Sequence, residues 1–267
     1  MLRGRGARMG GKLAVLMYHA LTDDEGRCAD ADPHYAIQPA QFARHIDALK
    51  EAGLQARSVE SIQIGTSPAK TVAMTFDDGH ASNAKAAEML AACSFSADFF
   101  VNPSTVGQPN YLSWSELRNM VSAGMSIQSH GYHHRYLNEL TREEVMSELV
   151  DSKREIEDRL GAAVTVFAPP GGRTSDGLAQ SAARVGYSAL CTSRVGLWQL
   201  QDGPWCIPRL AVLNTTSEAR FERWIAKDWR EMAMQHTRHA VLSSAKRLLG
   251  NRGYDRLRGG LLRTGQS

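Results

Sequence analysis

The stretch Thr71-Val72-Ala73-Met74-Thr75-Phe76-Asp77-Asp78-Gly79 joins a six-residue run that reads as a buried strand to two adjacent carboxylates. A continuous run of this kind, without polar alternation, suits a strand covered on both faces, as in parallel sheets. The carboxylates follow at its C-terminal end, where Asp-Gly also signals a turn. The same arrangement recurs along the chain. Leu13 to Tyr18 ends in His19, a short strand ends in Ser129-His130-Gly131-Tyr132-His133-His134, and Val164 to Phe167 leads into Pro169-Pro170-Gly171-Gly172. Polar chemistry collected at the C-terminal ends of several strands favours a closed α/β barrel over a doubly wound sheet.

Helical patterns fill the intervals. Pro39 to Ala52 places Phe42, Ile46 and Leu49 on one face, and Ala81 to Cys93 is rich in alanine. Ser113-Trp114-Ser115-Glu116 and Thr141-Arg142-Glu143-Glu144 are capping boxes that open two more helices, with stops at Gly124 and Gly161. Gly177 to Val185 reads as a further helix. The weaker strands are Leu54 to Val59, Ala97 to Val101, Tyr187 to Cys191, and Ile207 to Leu213, which Pro208 interrupts. Three regions follow: a disordered basic segment over 1–12, a catalytic barrel over 13–216, and a basic amphipathic helical tail over 217–267.

With 267 residues, 43% hydrophobic and 22% charged, the chain can bury one sizeable core. Cys28, Cys93, Cys191 and Cys206 form no C-x-x-C pair and read as small buried hydrophobes. The basic start resembles a secretory n-region, but only six apolar residues precede His19 and no cleavage site follows, so a cytoplasmic location is expected. The net charge of +3 conceals a tail with eleven Lys/Arg against four Asp/Glu from Arg220 onward. In that tail Phe221, Trp224, Ile225, Trp229 and Met232 recur at helical spacing among basic residues. This pattern suits either a helix packed across the barrel or peripheral contact with an anionic membrane. No nucleic-acid motif accompanies the charge, and no nucleic-acid partner is expected.

One carboxylate oxygen and two imidazoles four positions apart, with a fourth position open to water, make the ligand set of a hydrolytic zinc-type site. The remaining carboxylate of the Asp77-Asp78 pair would then stand beside that water as a general base. Tyr111 and Trp205 are loop aromatics able to stack on a pyranose face, whereas His80 and His133 read as solvated loop residues.

These motifs resemble those of the polysaccharide deacetylases, whose members share a distorted (β/α) barrel. The resemblance spans roughly Leu13 to Trp224. It implies that Asp77 is the catalytic base and that Asp78, His130 and His134 hold one divalent ion, zinc or else cobalt or nickel. Gly131 stands where the family has a small hydroxyl residue. The family arginine that orients the base is replaced by Ala168, and Arg209 is the best substitute. The C-terminal histidine that acts as general acid has no counterpart. Here the chain resembles exopolysaccharide-associated members with permuted motif order, which makes His19 the acid, since a closed barrel sets its first strand beside its last. The oxyanion would face the metal and a backbone N–H of the Pro170-Gly171 loop. The implied activity is hydrolysis of N-acetyl groups on an amino-sugar polysaccharide, oligosaccharide or precursor by attack of a metal-bound water. Two other readings compete: a deacylase of a lipid-linked or nucleotide-linked sugar, and a carbohydrate-binding protein with impaired catalysis.

Overall fold

A computed structural model of the chain describes residues 11–22, 31–62, 68–228 and 231. Among the described residues, twelve strands follow in order: β1 (Lys12–Leu13), β2 (Val15–Tyr18), β3 (Ala20–Leu21), β4 (Ala36–Ile37), β5 (Gln55–Arg57), β6 (Thr71–Phe76), β7 (Asp98–Val101), β8 (Ser126–Ser129), β9 (Val166–Phe167), β10 (Ala189–Leu190), β11 (Trp198–Gln199) and β12 (Leu210–Ala211). The helices are α1 (Pro39–Glu51), α2 (Asn83–Ala91), α3 (Trp114–Ser122), α4 (Arg142–Leu160), α5 (Leu178–Val185) and α6 (Glu218–Ile225).

The main sheet is parallel in the order β10-β9-β8-β7-β6-β2-β12, with β5 added to the lower part of β6. It curls until its two ends meet. Cys191 bridges Ile207 in parallel, Ile207 N–H donates to the Leu190 carbonyl at 2.9 Å, and Thr192 N–H donates to the Ile207 carbonyl at 2.8 Å. This is the distorted α/β barrel expected from the strand–helix alternation. The first long strand and the last are neighbours, with Leu16 opposite Leu210 and Met17 opposite Ala211. β6 occupies the Thr71–Phe76 run, and all six of its residues are buried. Leu13, Val15, Ala73, Phe100 and Val166 meet inside the curl.

Both capping boxes form, each with its Ser or Thr side chain on the third helical N–H and the Glu returning to the cap. α4 stops at Gly161, which takes a left-handed φ of 64°. α1 buries Phe42, Ile46 and Leu49 as its periodicity requires, and also His45.

Five expectations need correction. Lys12 does not end a disordered segment: it pairs with Gln199 in an antiparallel ribbon with β11. The run Leu13 to Tyr18 is broken at Ala14, which separates β1 from β2. The compact unit ends between Lys227 and Asp228, not at residue 216, because α6 belongs to the barrel. Phe221 stacks on His45 with centroids 3.9 Å apart, and Phe221, Trp224 and Ile225 are buried. Those three residues therefore face protein, which removes them from any membrane-contacting stripe; Trp229 and Met232 lie outside the described residues. Of the cysteines, only Cys191 is buried; Cys93 is half-buried, Cys206 is exposed and Cys28 lies outside the described residues. Among the described residues, no helix is long and apolar enough to cross a membrane.

Candidate active site

β6 delivers both carboxylates, and the backbone turns sharply as it does so. Asp78 has φ 73° and Gly79 φ 67°. A left-handed aspartate costs less than most residues would, because its short polar side chain tolerates that region. The next position admits only glycine without strain: a Cβ on Gly79 would also lie 3.1 Å from Val101 Cγ1. The turn separates the two carboxylates, so that Asp77 is 3% exposed while Asp78 is half-buried.

Asp78 Oδ1 lies 3.3 Å from His130 Nε2 and 3.1 Å from His134 Nε2. One donor atom from each of these three residues fits within 4.8 Å of the others, a spacing suited to a single ion. The orientation of His130 fits as well. Its Nδ1 donates to the Ala168 carbonyl at 2.7 Å, which directs the lone pair of Nε2 toward Asp78. The family's arginine position thus contributes its backbone carbonyl here. His134 reaches the cluster from a left-handed backbone at φ 58°. Burial would raise the Asp78 carboxyl, but the close approach of the His130 and His134 imidazoles holds it well below the usual carboxylate range. Burial lowers the His134 imidazole, and its contact with Asp78 more than reverses this.

Arg209 is brought onto Asp77 across 132 positions of sequence. Its Nη1 and Nη2 donate to Oδ1 and Oδ2 at 2.7 and 2.8 Å, a parallel two-point pair. The guanidinium is 1% exposed and is fixed further by Nε on the Thr192 carbonyl at 3.0 Å and Nη1 on Thr75 Oγ1 at 3.2 Å. Burial alone would raise the Asp77 pKa. Arg209, followed by His130 and His19, brings it below the usual carboxylate value.

His19 leaves β2 beside Asp77, whose N–H donates to the Tyr18 carbonyl at 2.9 Å. By strand order it adjoins Asp77. Its charge environment is the site itself: burial lowers the imidazole pKa, while Asp78 and Asp77 oppose this and Arg209 and His130 reinforce it. The His19 Nδ1 is buried with no hydrogen-bond partner among the described residues, because the ring is held by Tyr35, 4.3 Å between centroids, rather than by an acceptor. The Asn83 amide takes the His19 backbone carbonyl at 2.6 Å.

The remaining predicted residues divide. Pro170 is buried in the 3-10 turn Pro170–Gly172, where the N–H groups of Gly172 and Arg173 close the turn, so Gly171 N–H is the donor that loop can offer. Tyr111 bridges His80, two residues beyond Asp78. Trp205 is half-buried in the loop before Ile207, and no hydrogen bond or ring contact joins it to the triad. Asn102 was not anticipated. It is 1% exposed, and its amide donates to the carbonyls of His130 and Gly131 at 2.6 and 3.1 Å.

A curled parallel barrel that gathers two carboxylates, two imidazoles and a buried arginine at its strand ends suits a hydrolase. Residues 64–190 match the family described as Polysaccharide deacetylase. YxkH of Bacillus subtilis (strain 168), whose name also places it among the polysaccharide deacetylases, is 26% identical over 220 residues, 80% of this chain and 76% of that one. The Peptidoglycan-N-acetylglucosamine deacetylase of Bacillus cereus is 26% identical over 141 residues, 52% of this chain and 62% of that one. Among solved structures, the polysaccharide deacetylase BC0361 from Bacillus cereus superposes with a TM-score of 0.73 at 27% identity, over 81% of this chain and 69% of that one. The chain is similar to the polysaccharide deacetylases in sequence and in fold, and these relatives indicate a hydrolase acting on non-peptide carbon–nitrogen bonds.

Proposed function

We propose that this enzyme removes N-acetyl groups from an amino-sugar glycan, using Asp78, His130 and His134 to hold one divalent ion and Asp77 as general base. The observation that carries this reading is the Asp77–Arg209 pair beside the Asp78/His130/His134 cluster. A sugar-binding protein without catalysis would gain nothing from a buried carboxylate held ionised by a two-point arginine. The relative named as a peptidoglycan N-acetylglucosamine deacetylase supports an acetylated amino sugar as the substrate class. A donor set of one carboxylate and two imidazoles suits zinc, and accepts cobalt or nickel.

When bound, the ion would polarise the acetyl carbonyl and acidify water next to it. Asp77, kept ionised by Arg209, accepts the proton of the attacking water. Gly171 N–H is the donor available to the oxyanion, a contact typically worth about 3–4 kcal/mol. His19 passes a proton to the departing amine, and free amine and acetate leave. Burial lowers the His19 pKa, and Asp78 and Asp77 oppose that shift by favouring the protonated imidazole. His19→Ala is expected to bind metal as the parent does and to lose about 10²-fold or more in kcat. Unchanged kcat would remove His19 from the reaction.

The metal site is tested directly. Purified protein should contain close to one divalent ion per chain, and His130→Ala and His134→Ala should lose it. Equal metal content in those variants would refute the assignment. Acetate release from chitooligosaccharides, UDP-N-acetylglucosamine and lipid-linked N-acetylglucosamine, each with and without chelator, separates polymer from precursor substrates.

A further inference from the structure

The two histidines of the cluster are joined by the turn Gly131-Tyr132-His133, and that turn is held from outside by α4. Glu148, 3% exposed, points its carboxylate into the turn. Its Oε2 accepts from Tyr132 N–H at 2.6 Å and from His133 N–H at 3.0 Å, and its Oε1 lies 2.9 Å from His133 Nδ1. Two further residues on the same face of α4 continue the grip. Ser152 Oγ is 2.7 Å from Ser129 Oγ, and Glu155 Oε2 accepts from the Tyr132 hydroxyl at 2.8 Å. Positions 148, 152 and 155 follow the i, i+4, i+7 spacing of one helix face.

Gly131 is shaped to this arrangement. At φ 81° it sits where L side chains are strained, and a Cβ there would lie 3.0 Å from Glu148 Oε2. A hydroxyl residue at this position would therefore compete for the space that the carboxylate occupies.

We propose that Glu148 is the positioning residue of the metal centre, its carboxylate fixing the turn that sets His134 against His130 where Gly131 brings no side chain of its own. The proposal rests on the metal-site reading given above. Glu148 touches none of the three ligand atoms; it acts by satisfying two backbone N–H groups between the ligands, so that His134 keeps its left-handed backbone with or without an ion. Outer partners of this kind typically govern about 10–100-fold in metal affinity.

The test measures zinc affinity of the whole protein by chelator competition, together with the visible spectrum of the cobalt-substituted form. Glu148→Leu should bind zinc about 10–100-fold more weakly and show an altered cobalt spectrum. Glu148→Gln should bind zinc within about threefold of the parent, because its amide oxygen can still accept from both N–H groups and its NH2 can face a neutral His133 Nδ1. If Glu148→Leu fails to fold, Gly131→Ala gives the same information, since its Cβ displaces Oε2; its affinity should fall in the same direction. Parent affinity and spectrum in a folded Glu148→Leu, or parent affinity in Gly131→Ala, would overturn the proposal. His130→Ala serves as the reference. If it loses metal while Glu148→Leu keeps it, the triad stands and the positioning role falls; if both keep it, the triad itself is wrong.

Discussion

Asp77→Asn should retain its metal and lose about 10²–10⁴-fold in kcat, because the substitution removes a proton acceptor and no ligand. The two adjacent aspartates are separated by the left-handed turn at Asp78, which leaves Asp77 on Arg209 and sends Asp78 to the histidines. Asparagine keeps the size of Asp77 and one acceptor for the guanidinium. Metal content by elemental analysis, set beside kcat for acetate release, reads the two effects separately. Loss of the ion, or near-normal turnover, would mean that the roles of the two carboxylates have been exchanged.

Arg209→Met should affect stability and chemistry together. Removing one partner of a buried ion pair leaves an uncompensated charge, at a cost of about 3–5 kcal/mol. The sign of the pH effect follows from Asp77. Its folded-state pKa lies below the ordinary value because Arg209 overcomes the effect of burial, so the pair contributes stability above the ordinary carboxylate pKa and loses it as pH falls through the lowered value. Without the guanidinium, burial prevails and the Asp77 pKa rises. The acid limb of the kcat/KM profile should then move to higher pH, and the stability difference from the parent should narrow on acidification. Arg209→Lys should recover part of the stability but not the two-point geometry. Urea unfolding at two pH values and a pH–rate profile measure both outcomes. An unmoved acid limb would show that Arg209 does not set the ionisation of the base.

Much of the barrel was legible because a parallel strand buried on both faces must be an apolar run. Thr71–Phe76 has the expected boundaries, and both capping boxes form because their hydrogen bonds involve residues three apart. The shorter strands were overextended: Tyr187 to Cys191 reduces to Ala189–Leu190, and Ile207 to Leu213 to Leu210–Ala211. At those points the curl limits each strand to the few residues whose neighbours lie in register. The tail boundary was misplaced because the composition turns basic there, whereas α6 stays buried through Ile225 and its Phe221 stacks on His45. Glu148 was missed although its stripe with Ser152 and Glu155 was visible, since polar positions on a helix ordinarily face water.

The sequence by itself determined the donor types and the local turns: a carboxylate pair at a strand end, two histidines four residues apart, and glycines where the backbone must turn left-handed. These depend on neighbouring residues, so they are written locally. Only the tertiary structure decided that Arg209 grips Asp77 across 132 positions, that His19 emerges beside Asp77, and that a carboxylate from α4 fills the space at Gly131. Those outcomes depend on the curl that brings β12 against β2 and α4 against the ligand turn. Contacts between residues so far apart are set by how the whole core closes, which no local spacing encodes.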